Sequence, residues 1–74
     1  MKNHDSSKDY KKLKEHLDDG KTVIVFNKYG NIGIAYKNNY GEYVFGGDLR
    51  FKTWSDKFEE VCKIDDLEFY EPIS

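Results

Sequence analysis

Seventy-four residues with a formal net charge of −2 make one domain with no room for a second, and a chain this short buries only about 60% of the surface its unfolded form exposes. Apolar residues at 38% with 16% aromatics supply enough large rings for a core, which excludes a disordered chain, and the mild charge excludes a partner chosen on net charge alone. The single cysteine, Cys62, excludes an internal disulfide and any cysteine-built zinc site, and it fits a reducing compartment.

Residues 1–5 are polar and expected to be disordered, with one α+β domain over 6–74. Ser6-Ser7-Lys8-Asp9 offers a helix start, since a serine hydroxyl can accept a bond from an unsatisfied amide of the first turn. Tyr10, Leu13 and Leu17 share one helical face, and Gly20 is the stop, as the residue best able to take a left-handed cap. The result is a helix of about three turns with a narrow apolar stripe.

The stretch TVIVFNKYGNIGIAYKNNYGEYVF, residues 22–45, reads as a three-stranded antiparallel meander. Its β-branched and aromatic runs are divided by Tyr29-Gly30-Asn31 and by Asn38-Asn39-Tyr40-Gly41, whose Asn and Gly suit tight turns. In Thr22–Asn27, Val23 and Val25 alternate with Ile24 and Phe26; both faces are apolar, so the strand is expected to be covered on both sides. Ile32–Lys37 places Ile32, Ile34 and Tyr36 opposite Gly33 and Ala35, and the small pair suggests close approach by something bulky, such as the helix. Val25 and Ile34 are both expected in the core. Glu42–Phe45 sets Tyr43 and Phe45 opposite Val44.

Leu49–Trp54 alternates as a fourth strand does. Ser55–Val61 then reads as a short helix capped by Ser55, with Phe58, Val61 and Cys62 on one side; an irregular loop is the competing reading. Leu67–Ile73 is a final strand that ends at Pro72 or lies at an edge. No internal repeat stands out. The fold class is α+β: an N-terminal helix packed on a small antiparallel sheet of four to five strands, either curled into an SH3-like barrel, which would protect the edges, or left open.

Chemistry is thinly represented. His4 and His16 have no metal-ligand spacing, and a His near a helix C-terminus is explained by the dipole. Cys62 has Lys63 on one side and Glu59 and Glu60 on the other, and its apolar spacing makes it a small core residue. The glycines mark turns, and none precedes a phosphate-binding GK[ST]. Asp65, Asp66, Glu68 and Glu71, with Asp56, Glu59 and Glu60 before them, could act as acid and base only within a pocket that so small a domain rarely has. No catalytic residue, metal ligand or cofactor is expected, and the chain is not expected to be an enzyme.

Two interaction readings remain. The charge is uneven: residues 1–40 hold eight Lys and five acidic residues, residues 41–74 four Lys/Arg and nine acidic residues. A protein-binding patch is therefore assigned to Trp54, Asp56, Glu59, Glu60, Asp65 and Asp66, acidic residues around an aromatic. Tyr29, Tyr40, Tyr43 and Trp54 either form an exposed aromatic patch or, for Tyr43 and Trp54, fill the core. The alternative is a single-stranded nucleic-acid face of Lys28, Tyr29, Lys37 and Tyr40, for which the pI near 5.6 is a deficit. A homodimer on an exposed strand or aromatic patch is compatible with so small a domain. The chain has no run of the roughly 20 apolar residues a membrane span needs and no apolar leader at its start, so a cytoplasmic location is expected.

The segments LKEHLDDGKTVIV, YGNIGIAYKNNYGEYVFGG and KIDDLEFYEPI together resemble small phage- and prophage-type accessory proteins, in which a helix precedes an SH3-like meander and a final strand. The resemblance spans residues 12–73 and rests on layout, with no signature motif. It implies a host-takeover or anti-defence factor, an inhibitor that binds and blocks a bacterial host protein.

Overall fold

The computed structural model describes residues 6–72, which form a six-stranded antiparallel sheet and two helices. In chain order these are β1 (Ser6–Ser7), α1 (Tyr10–Asp18), β2 (Val23–Phe26), β3 (Ile32–Lys37), β4 (Tyr43–Phe45) and β5 (Phe51–Thr53). A 3-10 turn (Ser55–Lys57) then runs into α2 (Phe58–Ile64), and β6 (Glu68–Tyr70) closes the described chain. The stretch 1–5 expected to be disordered, His4 with it, and Ile73 lie outside the described residues; the final strand ends at Tyr70, before Pro72, and lies between β1 and β2, not at an edge.

Asp9, not a serine, caps α1: its carboxylate accepts from the Lys12 amide at 3.2 Å, while Ser7 Oγ accepts from the Asp9 amide at 3.0 Å. A charged acceptor suits the positive end of a helix better than a hydroxyl, and Ser6-Ser7 is left to pair with Tyr70 and Phe69 of β6. At the other end Gly20, at φ 85°, lets its amide reach Leu17 O and the Lys21 amide reach His16 O, both at 3.0 Å. This pair of bonds satisfies carbonyls the helix leaves open. α2 stops in the same way, with the Asp66 amide on Lys63 O and the Leu67 amide on Cys62 O, but Asp66 holds the left-handed position (φ 53°) where glycine is usual. The 3-10 turn before α2 has no side-chain cap, so the capping role expected of Ser55 is not realised.

Strand order is β1-β6-β2-β3-β4-β5. The sheet is open, not an SH3-like barrel. Its two edges are β1, two residues long, and β5, three residues long, and such short edges offer little ladder for another chain to extend.

Both helices lie on one face. Val23, Val25, Ala35, Tyr43, Phe45 and Phe69 point from the strands into a core completed by Leu13 and Leu17 of α1, Phe58 and Cys62 of α2, and Leu67. The Phe45 ring stacks on Phe51 at 4.6 Å and leans on Phe58 at 5.9 Å. Ala35 is buried beneath the helical layer, but Gly33 is small for a different reason than helix approach. The amides of Gly46 and Asp48 donate to Ile34 O and Ile32 O, carrying the chain directly across Gly33. A Cβ on Gly33 would stand 2.0 Å from Gly46 O.

The expectation that β2 is covered on both sides is corrected. Two helices form one layer, and none of the described chain lies over the other face. Ile24 is 50% exposed and Ile34 43%, so Ile34 is not a core residue.

Candidate functional site

Alternation along four strands gathers the remaining apolar side chains on this uncovered face. Three rungs cross it. Glu68, Phe26 and Ile32 lie side by side in the first. Tyr70, Ile24 and Ile34 follow in the second, two residues further along each strand. Tyr36, Val44 and Lys52 make the third. Ile24, Ile32, Ile34 and Tyr36 are exposed, and Phe26, Val44 and Tyr70 are half-buried. The Phe26 and Tyr70 rings lean together with centroids 5.2 Å apart. A contiguous apolar surface on a folded chain marks an interaction site more often than chance.

Charges bound this surface at opposite corners. Glu68 lies two strands to one side of β3, level with Ile32, and accepts from Ser6 Oγ at 2.6 Å. Lys52 lies two strands to the other side, level with Tyr36, and pairs with Glu42 at 3.4 Å. Ile34 sits midway between them. Beside Lys52 the surface dips into an open cleft of about 260 Å³, lined by Val44, Phe45, Gly46, Arg50, Phe51 and Lys52. The same face thus carries an aromatic pair with an acidic corner at one end and an apolar hollow with a basic corner at the other.

The residues singled out from the sequence are not all brought together. Trp54, 53% exposed, follows β5 at the end of the sheet where Tyr40 stands, and Asp56, Glu59 and Glu60 continue from it along the 3-10 turn and α2. Asp65 and Asp66 lie beyond the far end of α2. There Asp66 meets Lys8 at 2.9 Å, and the Asp65 carbonyl faces the Lys28 amide at 3.5 Å. Glu60 has Lys57 within 3.8 Å. The acidic run therefore follows one helix from end to end and is interrupted by lysines; it does not converge on a point. Tyr43 is 2% exposed and belongs to the core, which removes it from the aromatic patch.

Tyr29 and Tyr40 occupy the turns at opposite ends of β3, with Lys28 Nζ 5.4 Å from the Tyr29 ring and Lys37 Nζ 3.3 Å from Asp18. Lys28 and Tyr29 are thus separated from Lys37 and Tyr40 by the length of the strand, about 20 Å for six residues. No common nucleic-acid face results.

Those two turns reveal a repeat that composition hides. Asn27-Lys28-Tyr29-Gly30-Asn31 and Asn38-Asn39-Tyr40-Gly41-Glu42 are built alike. In each, the leading Asn Oδ1 accepts from the amides two and four residues on, all four bonds at 2.9 Å. The Gly amide returns to the Asn carbonyl at 3.2 Å in both, and the Gly takes φ 87° or 85°. Asx-stabilised turns followed by a left-handed Gly fit three-residue hairpin loops. Each lifts a tyrosine into solvent, 72% exposed at Tyr29 and 82% at Tyr40.

Elsewhere the ionisable groups serve the fold. Tyr43 Oη donates to Asp18 Oδ1 at 2.6 Å, and Lys14 and Lys37 reach the same carboxylate at 3.3 Å. Burial opposes the charge on Asp18, but the bonds from Tyr43, Lys37 and Lys14 outweigh it and hold the carboxyl below its ordinary value. His16 Nε2 lies 2.9 Å from Glu71, and that bond is the main reason the Glu71 carboxyl is also lowered. Burial pushes both the Cys62 thiol and the Tyr10 phenol up to about 12; the Tyr10 hydroxyl donates to Leu67 O at 2.8 Å. Neither is poised to react near neutral pH. Among the described residues no three His, Cys, Asp or Glu side chains gather as a metal ion needs, and no helix is long and apolar enough to cross a membrane. No family model, curated protein or solved structure matches this chain.

Proposed function

We propose that this chain is a non-enzymatic protein-interaction module that binds through the uncovered face of its sheet. The observation that carries the reading is the exposure of Ile24 on β2 beside Ile34 on β3, with Ile32 exposed on the same face of β3. Each leaves in water an apolar surface that burial stabilises by roughly 25 cal/mol per Å². The chain supplies no layer of its own there within residues 6–72. The acidic run from Trp54 to Asp66 is a secondary, charged surface on the helical side. It steers a basic partner more than it holds one, because rim charges act chiefly on association rate.

The class of partner, a bacterial host protein, comes from the resemblance to phage accessory proteins and from nothing else. The nucleic-acid reading has no support from the spacing of Lys28, Tyr29, Lys37 and Tyr40.

The test is affinity capture from a bacterial lysate with the tagged full chain and its Ile24→Lys/Ile34→Lys variant, each with and without nuclease. A discrete protein that survives nuclease and is lost from the variant is the expected result. Equal recovery by the two chains, or recovery of nucleic acid alone, overturns the reading.

A further inference from the structure

We infer that the occupant of the uncovered sheet face is a second copy of this chain, packed sheet to sheet about a two-fold axis through Ile34. This rests on the interaction-module reading above and deepens it. A two-fold interface requires a surface complementary to itself. A two-fold axis lying in the plane between the sheets, at right angles to the line joining Glu68 and Lys52, exchanges the two corners of the face. Because Glu68 and Lys52 stand two strands either side of β3 and one rung either side of Ile34, the axis brings each Glu68 over the other copy's Lys52. It also sets the leaning Phe26–Tyr70 pair against Val44 and the cleft beside it. Ile34 meets its own counterpart on the axis.

Charge and shape thus match twice in one arrangement. Any other occupant would have to reproduce an acidic corner and an aromatic knob at the spacing this chain already carries. The face is roughly 24 Å wide across five strands and about 20 Å long at β3, narrowing to about 10 Å at the three-residue strands β4, β5 and β6, or on the order of 300 Å² per copy. Two copies bury on the order of 600 Å² in total between the strands, the size class of weak, transient contacts.

The experiment is sedimentation equilibrium of the full chain from about 5 to 500 µM, with far-UV circular dichroism confirming that each variant is folded. Wild type is expected to pass from monomer to dimer, with no larger species. Ile34→Lys, which sets two ammonium groups against each other on the axis, is expected to remain monomeric. Glu68→Lys and Lys52→Glu each place like charges at both corners and are expected to raise the dissociation constant about tenfold or more. The double variant Glu68→Lys/Lys52→Glu exchanges the corners and is expected to recover to within about threefold of wild type.

A monomeric wild type, a dimer unaffected by Ile34→Lys, or a charge-swapped double variant no tighter than its parents overturns the inference. A monomeric wild type that still loses a lysate protein on Ile24→Lys/Ile34→Lys rejects the second copy and keeps the interaction module. A monomeric wild type with unchanged capture rejects both.

Discussion

The two faces of the sheet are cut from the same residues and do different things. On β2, Val23 and Val25 are sealed under the helices, while their neighbour Ile24 is half in water. On β3, Ala35 is buried between Ile34 and Tyr36, both exposed. Hydrophobicity does not separate the faces; the helices do, and Tyr10, Leu13 and Leu17 of α1 with Phe58 and Cys62 of α2 set which face they cover. A side chain's contribution to stability therefore follows from the layer above it, not from its residue type.

Placing one carboxylate on either face breaks the comparison most sharply. Val25→Asp buries an unpaired charge against Phe69 and Gly33, its ladder partners, and is expected to unfold the domain at 25 °C, since the penalty exceeds the several kcal/mol a domain this small holds in reserve. Ile34→Asp puts the same group on the open face and is expected to stay folded, at a cost of about 1 kcal/mol or less. Thermal melts by circular dichroism separate the two. A folded Val25→Asp or an unfolded Ile34→Asp would reverse the assignment of faces.

Gly33→Ala comes next. It adds one methyl group on the covered face, where the Gly46 carbonyl oxygen would stand 2.0 Å from it and Leu49 Cγ 3.1 Å. The chain on both sides of that oxygen is held by the bonds to Ile34 O and Ile32 O, so the clash is not relieved by a side-chain rotation. A loss of about 2–3 kcal/mol is expected, read as a lowered urea midpoint at unchanged slope. A loss under 0.5 kcal/mol would show that the Gly46–Gly47 crossing is loose.

Where the covered layer meets solvent, Tyr43 bridges the two environments, its ring in the core and its hydroxyl on Asp18. The Asp18 and Glu71 carboxyls are both lowered in the folded chain, from ordinary values of 3.8 and 4.5. A lowered carboxyl binds its proton more weakly when folded than when unfolded. Its stabilising contribution is therefore present above the unfolded value and is lost as pH falls through the folded one. The melting temperature is expected to be level above about pH 5 and to fall below about pH 4. Tyr43→Phe, which keeps the ring and removes one bond to a partly exposed carboxylate, is expected to cost about 1 kcal/mol at pH 7 and to flatten that acid limb. An unchanged acid limb would place its origin at other carboxyls.

Much of this architecture was legible in the strand pattern. Period-two alternation located the meander, and the i, i+3, i+7 spacing of Tyr10, Leu13 and Leu17 located α1 with its covered stripe. Gly20 marked its end, and Phe58 with Cys62 marked the inner side of α2. The open face was not legible as open, because Ile24 and Ile34 have the same composition as residues destined for a core. Only the placement of both helices on the opposite face, a tertiary fact, leaves them without a layer. The edges misled too: five short strands argued for closure, but β1 and β5 are too short for closure to add much. Asp56 to Asp66 form a patch in the sequence because they are near neighbours there, yet a helix and a turn spread them out and bring Lys8 and Lys57 among them. The likeness of the two turns is not visible in the sequence because it lies in bonding, with only Asn, Tyr and Gly shared.

Those turns allow the finest comparison, between two loops of one design at opposite ends of β3. Asn27→Ala removes the two bonds from Oδ1 to the amides of Tyr29 and Asn31, and a side-chain contact to Asn31 Oδ1 at 3.3 Å. Asn38→Ala removes the equivalent two bonds to Tyr40 and Glu42, and a shorter 2.8 Å bond to the Glu42 carboxylate. That last bond is the main reason the Glu42 carboxyl is lowered, and Lys52 adds to it. Bonds on exposed turns are partly replaced by water, so each substitution is expected to cost about 0.5–1.5 kcal/mol. The Asn38 variant should be the costlier, because its lost partner carries charge. The order is the informative quantity, and it is checked by urea denaturation at pH 7 and again at pH 3. The Glu42 carboxyl lies below its ordinary value of 4.5, so lowering the pH toward its folded value progressively removes the charge assistance, and the gap between the two variants should narrow. If Asn27→Ala is the more damaging at both pH values, the hydrogen bond to Glu42 contributes nothing in solution and the two turns are held by their Asx bonds alone.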